Sequence, residues 1–315
     1  MILKAYPDYT KPGFNKDAPC PVHDWPNMII HNKSKKAEFP EHKGPLTIKC
    51  PLKGKETFIT PERKFVVDNR HYLILNDGQT YSCSIDSKED VEVISVFFRP
   101  KFAEEVLSSL ISSSDVLLEN NKSDSEQPVF FLEKLYIQDR YITPFIMKFR
   151  LASESNFVDE EWIDEEFYLL LENMLKVHRD LSKIIEKLPS VKKTTKIEIY
   201  RRLDLAREFI NDNIGNDIKV EDMAREACLS TFHFIRLFKA VYEITPHRYL
   251  SKIRLDKAMN LLLRGGMSVT DVCFEVGFKS LSSFSWLFKQ KYGLYPEETR
   301  NSYQYFLTKL AILKK

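Results

Sequence analysis

Two metal-binding patterns are missing from this sequence of 315 residues. The five cysteines (Cys20, Cys50, Cys83, Cys228, Cys273) are scattered, odd in number and without a CxxC pair. That argues against both a disulfide framework and a structural zinc site. None of the seven histidines forms an HxH pair, so an iron or manganese site built on one lacks its ligands. His71, alone among the strand-like residues, reads as a satisfied or surface histidine. No Ser/His/Asp or Cys/His arrangement carries a local catalytic signature. The longest apolar runs, Leu169–Leu171 and Leu261–Leu263, are far too short to span a bilayer. Met1 to Pro7 show no basic segment leading into an apolar core, so no secretory signal is expected. These absences predict a cytoplasmic protein with no membrane partner, no metal, no cofactor and no catalytic residues.

What is present is ordinary globular composition, 43% hydrophobic and 29% charged, which excludes disordered and fibrous classes. The length allows two domains, each with its own core. The net charge of +2 hides an asymmetry. Residues 191–315 hold 22 Lys+Arg against 14 Asp+Glu, a balance of +8, and residues 1–190 hold 25 against 31, a balance of −6. A basic block beside an acidic one suits contact with a polyanion through the C-terminal part alone, although such an excess also serves solubility.

From Leu46 to Phe98 the texture is that of strands: 46–50, 57–59, 64–67, 72–75, 81–85 and 91–98. Each run is rich in β-branched and aromatic residues, and turn formers such as Lys53-Gly54 and Asn76-Asp77-Gly78 lie between them. The spacing predicts a small antiparallel barrel or sandwich. Its inward residues would include Ile48, Phe58, Tyr72, Ile74 and Val93, either filling the barrel or lining an effector pocket. His23 and Trp25 lie in an N-terminal arm that could cover such a pocket. After Pro100 the period turns helical, on Phe102, Val106, Leu107 and Leu110, then through Phe130–Leu135 and Pro144–Leu151. Residues 112–127, polar and Ser-, Asn- and Asp-rich, read as a loop. A long helix over 159–187 carries Phe167, Leu170, Leu171, Met174, Leu175, Val177 and Leu181 on a stripe wide enough for core packing, with a dimer seam as the alternative. Pro189 ends it, and the best linker follows.

The C-terminal region contains an internal repeat. Val220-Glu221-Asp222-Met223-Ala224-Arg225-Glu226-Ala227 aligns with Val269-Thr270-Asp271-Val272-Cys273-Phe274-Glu275-Val276 at an offset of 49. Phe234 to Pro246 aligns with Phe284 to Pro296 at an offset of 50, so the second turn is one residue longer. Each copy reads as helix, tight turn, helix. Ser230 and Ser280 stand at N-cap positions, and Phe234, Leu237, Phe238 and Phe284, Leu287, Phe288 bury one face. A basic helix joins the copies, opened by Thr245-Pro246 and closed by Gly265-Gly266. A helix that presents Arg and small polar groups outward suits the DNA major groove, where Arg pairs with guanine; lysines such as Lys239 and Lys289 suit phosphates.

On these residues the region resembles the AraC/XylS family of bacterial regulators. The resemblance runs through Ser230 to Phe238, Ile244-Thr245-Pro246-His247-Arg248-Tyr249-Leu250, Arg254-Leu255-Asp256-Lys257-Ala258, Val276-Gly277-Phe278 to Phe288, and Tyr292-Gly293-Leu294-Tyr295-Pro296. It implies an α+β chain with three parts. Residues 1–190 would form a small cupin-like barrel with trailing helices, for effector binding and dimerisation. Residues 191–203 would be a linker, and 204–301 an all-α domain of two helix-turn-helix units joined by a linking helix. His42 to Leu46 and Leu73 to Tyr81 carry the cupin likeness. The implied function is a transcription regulator, an activator as in most relatives, with promoter DNA, RNA polymerase, a second copy and a small-molecule effector as partners. DNA contacts would come from Thr231, Phe232, His233, Ile235, Arg236 and Lys239 in the first unit. In the second they would come from Leu281, Ser282, Ser283, Trp286 and Lys289. Leu281 and Trp286 depart from the polar residues common there, which leaves thymine-methyl or backbone contacts as the alternative to base hydrogen bonds. Tyr295 replaces the usual Ser or Thr before Pro296. Two other classes stay open: an enzyme, which bound iron or zinc would reveal, and a module that regulates through protein contacts alone.

Overall fold

The computed structural model describes residues 1–4, 26–111, 129–155, 159–190 and 192–301. Cys20, His23, Trp25 and the polar stretch 112–127 lie outside the described residues. The chain divides into two compact units, Met1–Leu181 and Ser182–Lys315.

Unit 1 is a mixed sheet with helices. Its strands are β1 (Ile2–Leu3), β2 (Met28–Lys43), β3 (Thr47–Lys53), β4 (Lys55–Ile59), β5 (Lys64–Asp68), β6 (His71–Leu75), β7 (Thr80–Phe97) and β8 (Leu135–Ile137). The sheet runs β1-β2-β7-β3-β6-β8, with β4 joining β5 to β7; β1 pairs β2 in parallel and the other pairs are antiparallel. The expected barrel is therefore not closed: among the described residues the path ends at β1 and β8.

Two expected strands, 81–85 and 91–98, are halves of the single strand β7. The polar residues between them resemble a turn. Instead the register against β2 jumps from Ser34↔Val91 to Lys36↔Asp86, so residues 87–90 are absorbed as an irregularity. Strand β2 was not expected at all. Only its first residues, Met28 to Asn32, are buried, and the rest lacks the apolar alternation that marks a strand. The helical spacing at Phe130–Leu135 was misleading in the same way. Leu135 opens β8, whose partner is β6.

Helices α1 (Phe102–Ile111), α2 (Thr143–Glu154) and α3 (Glu160–Glu186), the last as far as Leu181, complete the unit. Phe167 of α3 packs at 5.5 Å from Phe98 and 5.3 Å from Phe149 of α2. With Leu170, Leu171 and Met174 it is buried within the protomer, the core-packing alternative for this stripe. In the sheet, Phe58, Phe65, Val67, Leu73, Leu75, Tyr81 and Cys83 form one core cluster. Strand alternation puts Tyr72 and Ile74 on the face opposite Leu73 and Leu75, so they do not share an interior with Phe58. Ile48 sits opposite Ile74 in the ladder and goes with them.

Two ionisable side chains share this interior. Lys49 is 1% exposed, with its Nζ 4.4 Å from the Phe97 ring centroid. Glu56 is fully buried, and burial pushes its carboxyl up to about 7 against the opposing pull of Lys49. Burial likewise lowers the Lys49 pKa.

Unit 2 is helical: α4 (Lys193–Asp212), α5 (Val220–Glu226), α6 (Thr231–Tyr242), α7 (Pro246–Arg264), α8 (Val269–Glu275) and α9 (Leu281–Tyr292). The stretch expected as a linker is helical from Lys193, because Tyr200 and Leu203 already bury one face of α4.

The raised pKa of Glu56 has a signed consequence. An acid that holds its proton in the folded state contributes stability that is full below pH 4.5 and is lost as pH climbs to about 7. A Glu56→Gln variant mimics the protonated form. It should gain on the parent by on the order of 3 kcal/mol across that window, read from urea unfolding at several pH values. Parallel stability curves would contradict this assignment.

Candidate nucleic-acid interface

The repeat in unit 2 is larger than two short helices. In α4 the run Arg202-Leu203-Asp204-Leu205-Ala206 precedes the first helix-turn-helix. In α7 Arg254-Leu255-Asp256-Lys257-Ala258 precedes the second at the same internal spacing. Leu203, Ala206, Leu255 and Ala258 are buried in both copies. Each aspartate receives the hydroxyl of the tyrosine that ends the last helix of its copy. Tyr242 donates to Asp204 at 3.4 Å, and Tyr292 donates to Asp256 at 2.5 Å. Burial first, and the neighbouring carboxylate second, raises the pKa of both tyrosines. Asp204 is also held by the buried Arg207, whose Nε donates at 2.9 Å. Sequence reasoning passed over this brace, although the repeated Arg-Leu-Asp-x-Ala was there to be found.

The turns between the short helices match as well. In the first, Leu229 N–H donates to Ala224 O at 2.9 Å; in the second, Phe278 N–H donates to Cys273 O at 3.0 Å. Both turns need one left-handed residue, Cys228 at φ 50° and its equivalent Gly277 at φ 86°. The arginines of the repeated run reach these places. Arg202 donates to Cys228 O at 3.4 Å, and Arg254 donates to Ile214 O at 2.9 Å and Asn216 O at 2.7 Å. A Cβ on Gly277 would stand 2.8 Å from Ile214 O, so that backbone approach admits only glycine. The extra residue of the second turn is Lys279, whose ammonium meets Asp217 at 2.7 Å.

Helix starts are capped unevenly. Ser268 Oγ accepts the Asp271 N–H at 3.1 Å, and Ser280 Oγ accepts the Ser283 N–H at 3.3 Å. Ser230 and Thr245 occupy the expected N-cap positions of α6 and α7 but make no side-chain cap bond. Gly265 ends α7 as expected.

Helices α6 and α9 each bury one face. Phe234, Leu237, Phe238 and Val241 are buried in α6, as are Phe284 and Phe288 in α9, where Leu287 is half-buried. The other face is open. Phe232, His233, Ile235, Arg236, Lys239, Leu281, Ser282, Ser283, Trp286 and Lys289 are exposed, and Thr231 is half-buried. Phe232 and Trp286 stand out at 75% and 63% exposure. Exposed bases elsewhere in the unit include Arg248, Lys252, Arg264 and Lys279.

Among the described residues, one group of side chains in unit 1 lies close enough to share a cation: His31, Glu92 and Glu154. The carboxylates already have cations. Arg150 donates to Glu92 at 2.8 Å, and Lys33 lies 3.5 Å from Glu92 and 3.8 Å from Glu154. The His31 ring nitrogens meet Glu92 at 2.9 Å and Ser153 Oγ at 2.5 Å. The group is an ion-pair network that joins β2, β7 and α2. His71 is satisfied by Asp68 at 2.6 Å.

Residues 223–302 match the helix-turn-helix domain family. Over 106 residues the chain is 32% identical to the transcriptional activator RhaS of Escherichia coli O139:H28, covering 34% of this chain and 38% of that protein. Over 105 residues it is 34% identical to the virulence regulon transcriptional activator VirF of Yersinia enterocolitica, covering 33% and 36%. The chain thus spans just over a third of the length of these curated relatives. A solved Chromobacterium violaceum transcriptional regulator, described as having an AraC-type DNA-binding domain, is 26% identical. That alignment covers 33% of this chain and 93% of the other, with a TM-score of 0.32.

The two equivalent turn residues predict opposite responses. Cys228→Gly relieves a left-handed side-chain residue and should stabilise unit 2 by about 1 kcal/mol. Gly277→Ala meets both the positive φ and the Ile214 carbonyl, and should cost about 2 kcal/mol or more. Thermal unfolding of the full chain reads both signs, and equal shifts would refute the equivalence.

Proposed function

We propose that the protein is a sequence-specific double-stranded DNA-binding transcription regulator that acts as an activator and not as an enzyme. The observation that carries this reading is the pair of equivalent helices, α6 and α9. Each is buried through its phenylalanines and turns its other face, ending in a lysine, to solvent, inside the helix-turn-helix match. Residues 204–301 would be the DNA-binding domain, with 191–203 joining it to a cupin-like domain over 1–190. Phe232, Ile235 and Arg236 would face bases from α6, with Thr231 and His233 as further DNA contacts, and Leu281, Ser282, Ser283 and Trp286 would face bases from α9. Lys239 and Lys289 would meet phosphates. The names of RhaS and VirF as activators support activation. RNA polymerase and a second copy of the chain are the partners this reading implies, in the cytoplasm.

Residues 1–190 would take a small-molecule effector and supply the dimer contacts. The Phe58, Tyr81 and Phe97 rings around Lys49 support this, since ligand sites combine apolar lining with a few placed polar groups. The effector would act by shifting the population of DNA-competent dimers.

The test is binding of the purified protein to its own upstream DNA and to a scrambled duplex across a salt series. Expected are a steep loss of affinity with salt and a specific-to-scrambled ratio of about a thousandfold or more. Arg236→Ala should cost about 1–3 kcal/mol on the specific duplex alone. Equal, weak binding to both duplexes would count against the proposal.

A further inference from the structure

The two outward faces are equivalent in position and different in chemistry. At an offset of 50, Thr231 corresponds to Leu281, Phe232 to Ser282, His233 to Ser283, Ile235 to Ser285 and Arg236 to Trp286. In α6 the exposed face offers the Arg236 guanidinium and the His233 imidazole beside the apolar Phe232 and Ile235, 75% and 36% exposed. In α9 the same positions offer hydroxyls and two apolar groups, with Trp286 63% and Leu281 39% exposed. From Leu281 to Phe288 helix α9 carries no charged residue. Positive charge sits instead at its two ends. Lys289 lies on its last turn with Nζ 4.0 Å from the Tyr295 ring centroid, and Lys279, just before the helix, is paired with Asp217 at 2.7 Å. The Lys289 end is complementary to a phosphate beside an apolar strip. The apolar feature of a base-pair edge in the major groove is the thymine C5 methyl group.

We propose that the two units read chemically different half-sites: α6 reads guanine through Arg236, and α9 reads thymine methyl groups through Leu281 and Trp286. The inference rests on the DNA-binding reading above and deepens it. The operator is then asymmetric within each protomer's footprint, with a guanine-bearing half and a thymine-rich half. Ser282 and Ser283 add hydroxyls that pair with more than one base, so the methyl contacts supply the selectivity of the second half.

The test starts with selection of preferred duplexes from a random library by the full-length protein. Each thymine of the selected site is then replaced by deoxyuridine, which lacks only the methyl group, and each guanine by 7-deazaguanine, which lacks one acceptor. In one half, deoxyuridine should weaken binding about fourfold per contacted methyl. In the other half, 7-deazaguanine should weaken binding, and Arg236→Ala should remove that effect. Leu281→Ala combined with Trp286→Ala, both at exposed positions outside the buried face, should remove the deoxyuridine effect in that half and leave the 7-deazaguanine effect. Trp286→Arg should turn the thymine preference of that half into a guanine preference on reselection. A methyl contact from Phe232 would survive both Trp286 changes and fall in the guanine half. Absence of any deoxyuridine effect, or its persistence outside the guanine half in the double Leu281→Ala, Trp286→Ala variant, would overturn the proposal and assign the Trp286 face to another partner. Recovery of no common site at all would overturn the DNA-binding reading itself.

Discussion

The arrangement of unit 2 depends on two phenylalanines placed four residues apart in each outward helix, Phe234 and Phe238 in α6 and Phe284 and Phe288 in α9. All four are completely buried. A spacing of four puts both rings on one side of a helix, one turn apart. Burying two aromatic side chains stabilises far more than any exposed contact on the opposite face. The helix is therefore locked in rotation, and the residues free to face outward follow from its period. Arg236 and Trp286 are exposed because their neighbours cannot be.

That constraint works only if the supporting helices come close. Ala224, Ala227, Cys273 and Val276 keep the approach tight, and all four are buried. The brace from the preceding helix then fixes the far end of each unit. The last tyrosine donates to an aspartate, and the arginine two residues before that aspartate holds backbone carbonyls near the turns. A charged acceptor makes such bonds stronger than neutral pairs, which suits a helix that must keep its pose under load.

Most of this unit was legible in the sequence because its period, caps and breakers agree. The 49- and 50-residue offsets, Pro246, Gly265 and the buried phenylalanines all point one way. The preceding helix was less legible, since Arg-Leu-Asp-x-Ala is too short and too polar to stand out before its partners are known. In unit 1 the strands with clear alternation were legible, and β2 was not, because its second half is polar on both faces. The faces of β6 were confused for the opposite reason: Tyr72 to Leu75 are all buried, so burial carries no parity. Lys49 and Glu56 were invisible as interior residues. Charged residues predict exposure, and only pairing with a built interior reverses that expectation.

Two reading heads on one chain is the central claim, and hydroxyl-radical footprinting of the bound duplex tests it most directly. The account predicts two protected patches per protomer on one face of the DNA, about 34 Å or one helical turn apart. The patch over the thymine-rich half should be lost in a variant that disrupts α9 while the other persists. A single short patch, unchanged by alterations in α9, would contradict the account.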